Sequence, residues 1–461
     1  MRLRPGERRL LLILGDLLVA AGATFIAIAL WSQLDWLGFS WDFVFGRADW
    51  FVLLPLIWII LMVNQYDLRR AASVRETFWG VLFSAAAGVG LYLIAYFTSD
   101  PGSLPRRGVL YFLASVVILT LLWRALYVKL FTAPGLMRRV LIVGAGESGR
   151  TLLKAIKELW PPPFYLAGFI DDDSSKHGQE IEGTKVLGDS KKLLGLTEEL
   201  SVSDLIVAIL GPMNGEMFQA LLDAQQRGVE ITRMPVAYEE LLGRVPIRHL
   251  EADWLLRSFV DEVRVSEIYL LTKRLIDVAG ALIGCAILIV LLPFAALATL
   301  AESGRPIWLL QTRLGQGGRV YRVIKLRTMR RDAEADGQPQ WAQDKDPRVT
   351  RVGRILRKTH LDEFPQFLNV LTGSMSIVGP RPERPELVAE LEKAIPFYRA
   401  RLLAKPGVTG WAQVNYGKGA SVQGSAEKLE FDLYYIKHRS FLMDIWIILR
   451  TVGSVIGFKG S

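Results

Sequence analysis

Arg139-Val-Leu-Ile-Val-Gly-Ala-Gly-Glu-Ser-Gly149 is an apolar run that stops at a glycine turn and continues into a polar, helix-compatible stretch. An unbroken apolar run of this length, closed by glycine, reads as a strand covered on both faces. Gly144, Gly146 and Gly149 have the spacing of a dinucleotide fingerprint, and Asp171 lies 22 residues beyond Gly149, where such a fingerprint places its acid. Outward from there, Tyr165–Ile170 is a second strand ending in Asp171-Asp172-Asp173. Asp204–Leu210 is a third apolar run ahead of a helical stretch, and Val229–Arg233 reads as a fourth strand. Strands alternating with helices predict a parallel α/β sheet. A Rossmann-like domain of nucleotide-binding type is therefore expected over residues 136–245, with a linker over 246–270. Its glycine turn and Asp171 suit a nucleotide. Such turns also persist in domains that serve regulation or assembly without a cofactor.

Four apolar runs precede this domain: Leu10–Trp31, Trp50–Tyr66, Thr77–Phe97 and Val109–Phe131. Each is close to the ~20 residues with which a helix crosses a bilayer, so residues 1–135 read as a four-helix transmembrane domain. Basic residues favour the cytoplasmic side. Arg2, Arg4, Arg8 and Arg9 precede the first run; Arg69, Arg70 and Arg75 separate the second and third; Arg138 and Arg139 follow the fourth. Asp35, Asp42 and Asp49 face a single Arg47 in the first outer loop, and only Arg106 and Arg107 run against the pattern. Both ends of the block are thus expected in the cytoplasm. The first run is too long for a signal peptide and lacks a small-residue cleavage site, so it reads as a retained anchor.

Of 461 residues, 51% are hydrophobic, concentrated in these long runs, and the net charge of +9 suits anionic partners such as lipid headgroups, phosphates or nucleic acid. The single cysteine, Cys285, rules out an intrachain disulfide, and four scattered histidines argue against a zinc site.

A fifth apolar run, Leu275–Leu300, contains Pro293. It is long enough to span. Alternatively, a break at Pro293 lets it enter one leaflet and return to the same side, because proline removes a helical hydrogen bond and bends the axis. Residues 301–440 are soluble in composition. The last apolar stretch, 441–458, holds Asp444 and Arg450 and reads as a helix lying on the membrane surface.

The most informative stretch for chemistry is Arg354-Ile-Leu-Arg-Lys-Thr-His-Leu-Asp-Glu-Phe-Pro-Gln-Phe-Leu-Asn369. Thr359 three residues before Asp362 suggests a capping box, Pro365 fits a first helical turn, and Phe364, Phe367, Leu368 and Leu371 recur at helical spacing. Asp362 and Glu363 are then expected at a helix N-terminus, which favours anions including phosphate. Arg348, Arg351, Arg354 and Arg357 recur every three residues upstream. Carboxylates in such surroundings are expected to stay ionised, ready to attack phosphorus or hold a metal. The plainer alternative makes the acids capping residues and the arginines a solvated face.

Six ordered motifs carry a resemblance. They are Lys273-Arg274-Leu275-Ile276-Asp277, Gln311-Thr-Arg313-Leu-Gly315, Lys325-Leu-Arg327-Thr-Met329, Arg357-Lys-Thr-His-Leu-Asp362-Glu363-Phe-Pro-Gln366, Gly379-Pro-Arg381-Pro382 and Lys405-Pro-Gly-Val-Thr-Gly-Trp-Ala-Gln413-Val-Asn415. In these, residues from about 270 onward resemble the bacterial polyprenyl-phosphate hexose-1-phosphate transferases, the monotopic phosphoglycosyl transferases. The membrane block and α/β domain in front resemble the family's large members. The resemblance implies a catalytic domain over 271–461, with a re-entrant helix at 275–300 bent at Pro293 and an interfacial helix at 441–458.

It further implies that Asp362 attacks the sugar-bearing phosphate of a UDP-hexose and expels UMP, and that undecaprenyl phosphate then takes the phosphosugar, beginning an exopolysaccharide, capsule or O-antigen. Glucose or galactose is the expected sugar. Glu363, with Asp362, would bind Mg²⁺. Arg357 and Arg381 would hold phosphates, with Pro382, Arg313 and Gln366 in the same binding motifs and Lys325 and Arg327 as weaker candidates. The expected place is the bacterial inner membrane, catalytic domain on the cytoplasmic face. Expected partners are the donor, the lipid acceptor and the bilayer, with no nucleic acid; a homodimer rests on resemblance alone. The sequence departs from the family in two places. Leu292 stands before Pro293 where serine is common, and Arg327 where lysine is common.

Weaker signals fall away. Asp344-x-Asp346 imitates a glycosyltransferase metal pair but lies in a polar loop. Tyr321 and Lys325 have a dehydrogenase spacing on what reads as a strand. Two rivals remain, a membrane-anchored nucleotide-sugar dehydratase and a non-enzymatic nucleotide sensor. The first lacks its Tyr/Lys helix, and the second leaves Asp362 and Glu363 without a purpose.

Overall fold

The computed structural model describes residues 5–34, 38–66, 71, 73–98, 106–131, 137–159, 162–250, 266–330, 333, 346–416 and 421–456. Arg2, Arg4, Asp35, Arg69, Arg70 and Asp344, used above, lie outside them. The chain divides into two compact units, Met1–Leu241 and Leu242–Ser461.

In the first unit the apolar runs become α1 (Pro5–Leu34), α2 (Trp41–Phe45), α3 (Trp50–Leu61), α4 (Val74–Thr98) and α5 (Arg106–Phe131). Among the described residues α1, α4 and α5 are long and apolar enough to cross a membrane. The second expected span departs from this. α3 has 12 residues, about 18 Å of helix against a ~30 Å hydrocarbon core. The polar pair Asn64-Gln65 ends the run, which closes in a 3₁₀ turn over Val63–Tyr66. Several polar groups in this apolar bundle find partners inside it. Arg124 lies 2.5 Å from Asp16, both at most 1% exposed, and donates to the Gln65 carbonyl at 3.0 Å. Trp58 Nε1 donates to Thr120 Oγ1 at 3.2 Å. Without water, such groups must be paired internally.

The unit continues as β1 (Arg139–Val143), α6 (Glu147–Lys157), β2 (Tyr165–Ile170), β3 (Glu180–Ile181), β4 (Thr184–Gly188), α7 (Ser190–Glu199), β5 (Asp204–Val207), α8 (Gly215–Gln226), β6 (Glu230–Arg233) and α9 (Met234–Leu242). The strands form one sheet in the order β3-β4-β2-β1-β5-β6. All pairings are parallel except the antiparallel β3–β4. Leu141, Val143, Leu205, Val207 and Leu193 fill one face, as expected for strands buried on both sides. The order reverses at β1, and the glycine turn lies at that switch.

The second unit opens on a segment that packs into its core. Val245 and Ile247 are buried with Leu429, Leu433 and Ile436, and the Val245 N–H donates to Glu430 O at 3.0 Å. The expected linker thus starts as packed chain; residues 251–265 lie outside the described residues. Then come α10 (Glu267–Ser303), the hairpin β7 (Trp308–Leu314) and β8 (Val320–Leu326), α11 (Arg351–Lys358), α12 (Gln366–Leu371), β9 (Ser376–Val378), α13 (Pro385–Ala394), β10 (Gly407–Thr409), α14 (Trp411–Asn415), α15 (Val422–His438) and α16 (Phe441–Ile456). The expected C-terminal helix covers most of 441–458; residues 457 and 458 are outside the described residues. β9 and β10 pair in parallel around Gly379, whose added Cβ would come 2.2 Å from Lys405 O.

α10 is gripped at both ends. Near its start Arg274 donates to Val370 O and Leu371 O, each at 2.8 Å, satisfying the last carbonyls of α12. Buried Asp277 accepts from Ser376 Oγ and Ile377 N, both at 2.9 Å. At its end Glu302 accepts from the N–H groups of Arg351 and Val352 that open α11. Between these ends Ile289, Phe294 and Leu297 project as exposed apolar side chains.

Candidate active site

α11 ends at Lys358, and the chain reverses at once. Thr359 is its C-cap, with its hydroxyl bonded back to Ile355 O at 2.9 Å, so the expected capping box does not form. His360 takes the left-handed conformation, φ 55° and ψ 15°. That reversal sets Asp362 and Glu363 in a 3₁₀ turn over Leu361–Glu363, with Pro365 as N-cap of the six-residue α12. The acids therefore precede a helix too short to supply much of a dipole. Side chains, more than helix ends, make the local field.

Glu363 is held by two cations. Lys325 Nζ lies 2.7 Å from its Oε1, and Arg381 Nη2 lies 2.6 Å from the same atom. These partners hold the Glu363 carboxyl well below its usual range despite burial, which acts the other way. Burial presses Lys325 toward its neutral form against the pull of Glu363, and Glu363 raises Arg381.

Asp362, one residue away, has a different environment. It is 8% exposed, and among the described residues no hydrogen bond or ion pair reaches its carboxylate. Burial first, then the neighbouring Glu363 charge, push its carboxyl up to about 6, with Lys325, Arg357 and Arg381 pulling it back down. Glu363 is thus held ionised, as the basic surround leads one to expect, whereas burial brings Asp362 closer to neutrality while leaving it mostly ionised at pH 7.

The other expected site residues divide. Arg357 is near enough for its charge to act on Asp362, and it is fixed by Nε donating to Thr328 Oγ1 at 2.8 Å. Gln366 is buried at the start of α12. Arg327 is turned away: it donates to the carbonyls of Ser303 and Gly304 and closes the end of α10. Arg313 braces the backbone, donating to Pro382 O at 3.2 Å and to Gln311 Oε1 at 2.8 Å. Of the four spaced arginines, Arg348 is spent on Asp346 at 2.6 Å, and Arg351 and Arg354 are exposed. A shallow depression is lined by Arg381, Pro382, Leu314 and Gly315.

The sequence reading missed the residues that hold this arrangement. Arg401, 5% exposed, donates to the Arg381 carbonyl at 2.9 Å, to Asp432 at 2.8 Å and to Tyr398 OH at 2.6 Å. Asn369 pins β8, accepting from Ile324 N at 3.1 Å and donating to Arg322 O at 2.8 Å. Asp432 left a trace in sequence, an acid between Phe431 and Leu433 in an otherwise apolar stretch.

In the first unit, Gly144 has φ +106°, and a Cβ on Gly149 would come 2.1 Å from Gly144 O, so both glycines are required by packing. A Cβ on Gly146 would meet nothing within 4 Å. Asp171 does not stand free. Its carboxylate accepts from Ala145 N at 2.7 Å and Asp173 N at 2.9 Å, and lies 3.2 Å from Lys176 Nζ.

Residues 268–458 match the bacterial sugar transferase family, and residues 61–235 match a CoA-binding domain family. The chain is 38% identical over 260 residues to the UDP-N-acetylgalactosamine-undecaprenyl-phosphate N-acetylgalactosaminephosphotransferase of Aeromonas hydrophila, covering 56% of this chain and 60% of that protein. It is 44% identical over 188 residues to the UDP-glucose:undecaprenyl-phosphate glucose-1-phosphate transferase of Caulobacter vibrioides, covering 40% and 70%. It is 32% identical over 327 residues to the undecaprenyl-phosphate glucose phosphotransferase of Komagataeibacter xylinus, covering 69% and 59%. The chain thus spans about three fifths of the first and third of these relatives.

Proposed function

The chain belongs to the bacterial sugar transferases, the polyprenyl-phosphate hexose-1-phosphate transferases, and from that premise we propose that it moves a sugar 1-phosphate from a UDP-sugar to undecaprenyl phosphate. The observation that carries the reading is the unequal pair: Glu363 held by Lys325 and Arg381, which meet at one of its carboxylate oxygens, and Asp362 buried beside it with no hydrogen bond or ion pair among the described residues. An ionised carboxylate so placed is a nucleophile held in reserve.

In the first displacement an Asp362 oxygen bonds to the sugar-bearing phosphorus as the P–O bond to UMP breaks, and UMP leaves with the electron pair. In the second, a phosphate oxygen of the lipid bonds to that phosphorus, the aspartyl–phosphorus bond breaks, and the carboxylate is restored. Arg381 and Arg357 orient phosphate oxygens, and Lys325 adds positive charge where charge accumulates. Among the described residues no group of three or more His, Cys, Asp or Glu could hold a metal. Two adjacent carboxylates still fit Mg²⁺, which commonly takes one or two carboxylates and completes its shell with phosphate and water. Asp362 and Glu363 would hold it, and when bound it would offset phosphate charge.

We place the second unit on the cytoplasmic face of the bacterial inner membrane, with α10 re-entrant. In support, both ends of α10 bind that same unit, through Arg274 and Asp277 at one end and Glu302 and Ser303 at the other. The apolar side chains flanking Pro293 are exposed between them. The α/β domain reads as Rossmann-like, supported by its strand order and glycine turn. Glucose or galactose is the donor sugar we favour, and the relatives' names add N-acetylgalactosamine to the set to be tried.

Full-length protein in nanodiscs, given each UDP-sugar, Mg²⁺ and undecaprenyl phosphate, is expected to release UMP. Without acceptor, mass spectrometry is expected to find phosphohexose on Asp362. Release of UDP, or an adduct on another side chain, overturns the mechanism.

A further inference from the structure

The loop Val378–Pro382 aims Arg381 at Glu363, and α15 grips that loop from beneath at two points. Asp432 and Tyr435 lie three residues apart on α15, hence on one face. Asp432 works through Arg401, which reaches the Arg381 carbonyl. Tyr435 belongs to a second buried cluster. Lys273 Nζ donates to Val378 O at 3.0 Å, to Asp444 Oδ2 at 3.0 Å and to Tyr435 OH at 3.1 Å. Tyr435 OH donates to Asp444 Oδ1 at 2.7 Å, and Tyr269 OH to Asp444 Oδ2 at 3.0 Å. All three ammonium donors are used, and both carboxylate oxygens accept.

The cluster joins three elements. Lys273 stands near the start of α10, Asp444 in the first turn of α16, and Val378 at the end of β9. Only Gly379 and Pro380 separate Val378 from Arg381, and neither leaves slack. Gly379 N donates to Thr409 O at 2.9 Å with its Cα pressed on the Lys405–Gly407 backbone, and the Pro380 ring fixes φ. Apolar side chains would hold two apolar helices together without the cost of burying charge. What the polar set adds is a directional hold on one carbonyl.

Building on the reading of Arg381 as a phosphate ligand, we propose that Lys273, Asp444 and Tyr435 are positioning residues for Arg381. They make its placement depend on how α10 and α16, the two apolar helices of this unit, are seated.

The test uses full-length protein in nanodiscs, with the KM for the UDP-sugar turned over and UMP affinity by equilibrium dialysis. Tyr435→Phe removes one hydroxyl and keeps the ring. It is expected to raise KM and weaken UMP binding about tenfold, the worth of one buried hydrogen bond to a charged network, with the protein still folded at the assay temperature. Lys273→Met is expected to do the same, and Lys273→Arg to recover part of the loss. In an Arg381→Ala background Tyr435→Phe is expected to add nothing, because its effect runs through the missing guanidinium. Should the two losses multiply, the cluster is a general brace and the proposal falls, while Arg381 keeps its role. Should Arg381→Ala alone leave UMP affinity intact, the reading of Arg381 falls first and this one with it. If Lys273→Met does not fold, Tyr435→Phe decides alone.

Discussion

Asp171 and Asp362 occupy comparable places in two different units: each is an acid beside a tight turn that leads into a helix, within a motif whose spacing suggests a bound phosphate. The carboxylate of Asp171 is committed, to two backbone N–H groups and Lys176. That of Asp362 has no partner among the described residues, while its neighbour Glu363 takes both cations. An acid whose lone pairs are used is a brace. A buried acid left unpaired costs free energy that folding alone gives no reason to spend. Both motifs pointed to a phosphate-bearing ligand in sequence, and the difference lies in who satisfies the oxygens.

The sharpest way to break this comparison is Asp362→Asn. As nucleophile its loss should lower UMP release by ~10⁴-fold or more. The same change should make the protein more stable. A carboxyl raised to about 6 favours the fold while protonated and loses that contribution as pH rises through 6, so above pH 6 the ionised group is a burden. At pH 8 the asparagine variant should melt higher, by up to about 3 kcal/mol of unfolding free energy. Substantial turnover, or a lower melting temperature, removes Asp362 from the role.

Glu363→Gln should behave oppositely in stability. Glu363 is depressed by its partners, so its contribution is present above its unfolded pKa and lost as pH falls through the folded one. Removing the charge leaves the largely buried Lys325 facing the half-exposed Arg381 with nothing between them to offset either charge. Stability should drop by ~3–5 kcal/mol and kcat/KM by about 10²–10³, read by urea unfolding and UMP release. A more stable Gln variant would put the two acids in the same class.

A smaller effect comes from pH alone. Below about 6 Asp362 takes up a proton, so kcat/KM should fall about tenfold per pH unit. Asp432, also raised to about 6 by burial, is the competing source. If Asp432→Asn abolishes the acid limb, the limb belongs to the Arg401 brace and not to the nucleophile.

Much of this was legible before the structure. The strand ending at Val143, the helical spacing of Phe364 and Phe367, and the six motifs located the sheet, the carboxylate pair and Arg381. Local pattern failed where a long-range partner decided. Thr359 has a capping residue's chemistry, but the left-handed His360 makes it an end and not a beginning. Arg327 and Arg381 are alike as letters, yet one closes α10 and the other meets Glu363. The Trp50–Tyr66 run counted as a span by hydropathy, and its polar end turned it into a short helix. Arg401 and Asp432 act on residues 20 or more positions away, which no spacing rule reaches.

The smallest effect tests the braced side of the comparison, through two glycines of one turn. Gly149→Ala places a methyl 2.1 Å from Gly144 O, forcing β1 and α6 apart, and should cost several kcal/mol. Gly146→Ala meets no protein atom within 4 Å and sits at φ −78°, which alanine adopts freely. It should therefore be neutral or stabilise by about 0.5 kcal/mol through the unfolded chain. Packing accounts for one glycine and leaves the other unexplained. If nucleotide binding to the α/β domain, measured by calorimetry, is abolished by Gly146→Ala while stability is kept, then a ligand's close approach is the reason for that residue. The Asp171 turn would then be a site whose brace yields to a phosphate, and the contrast with Asp362 would become one of degree.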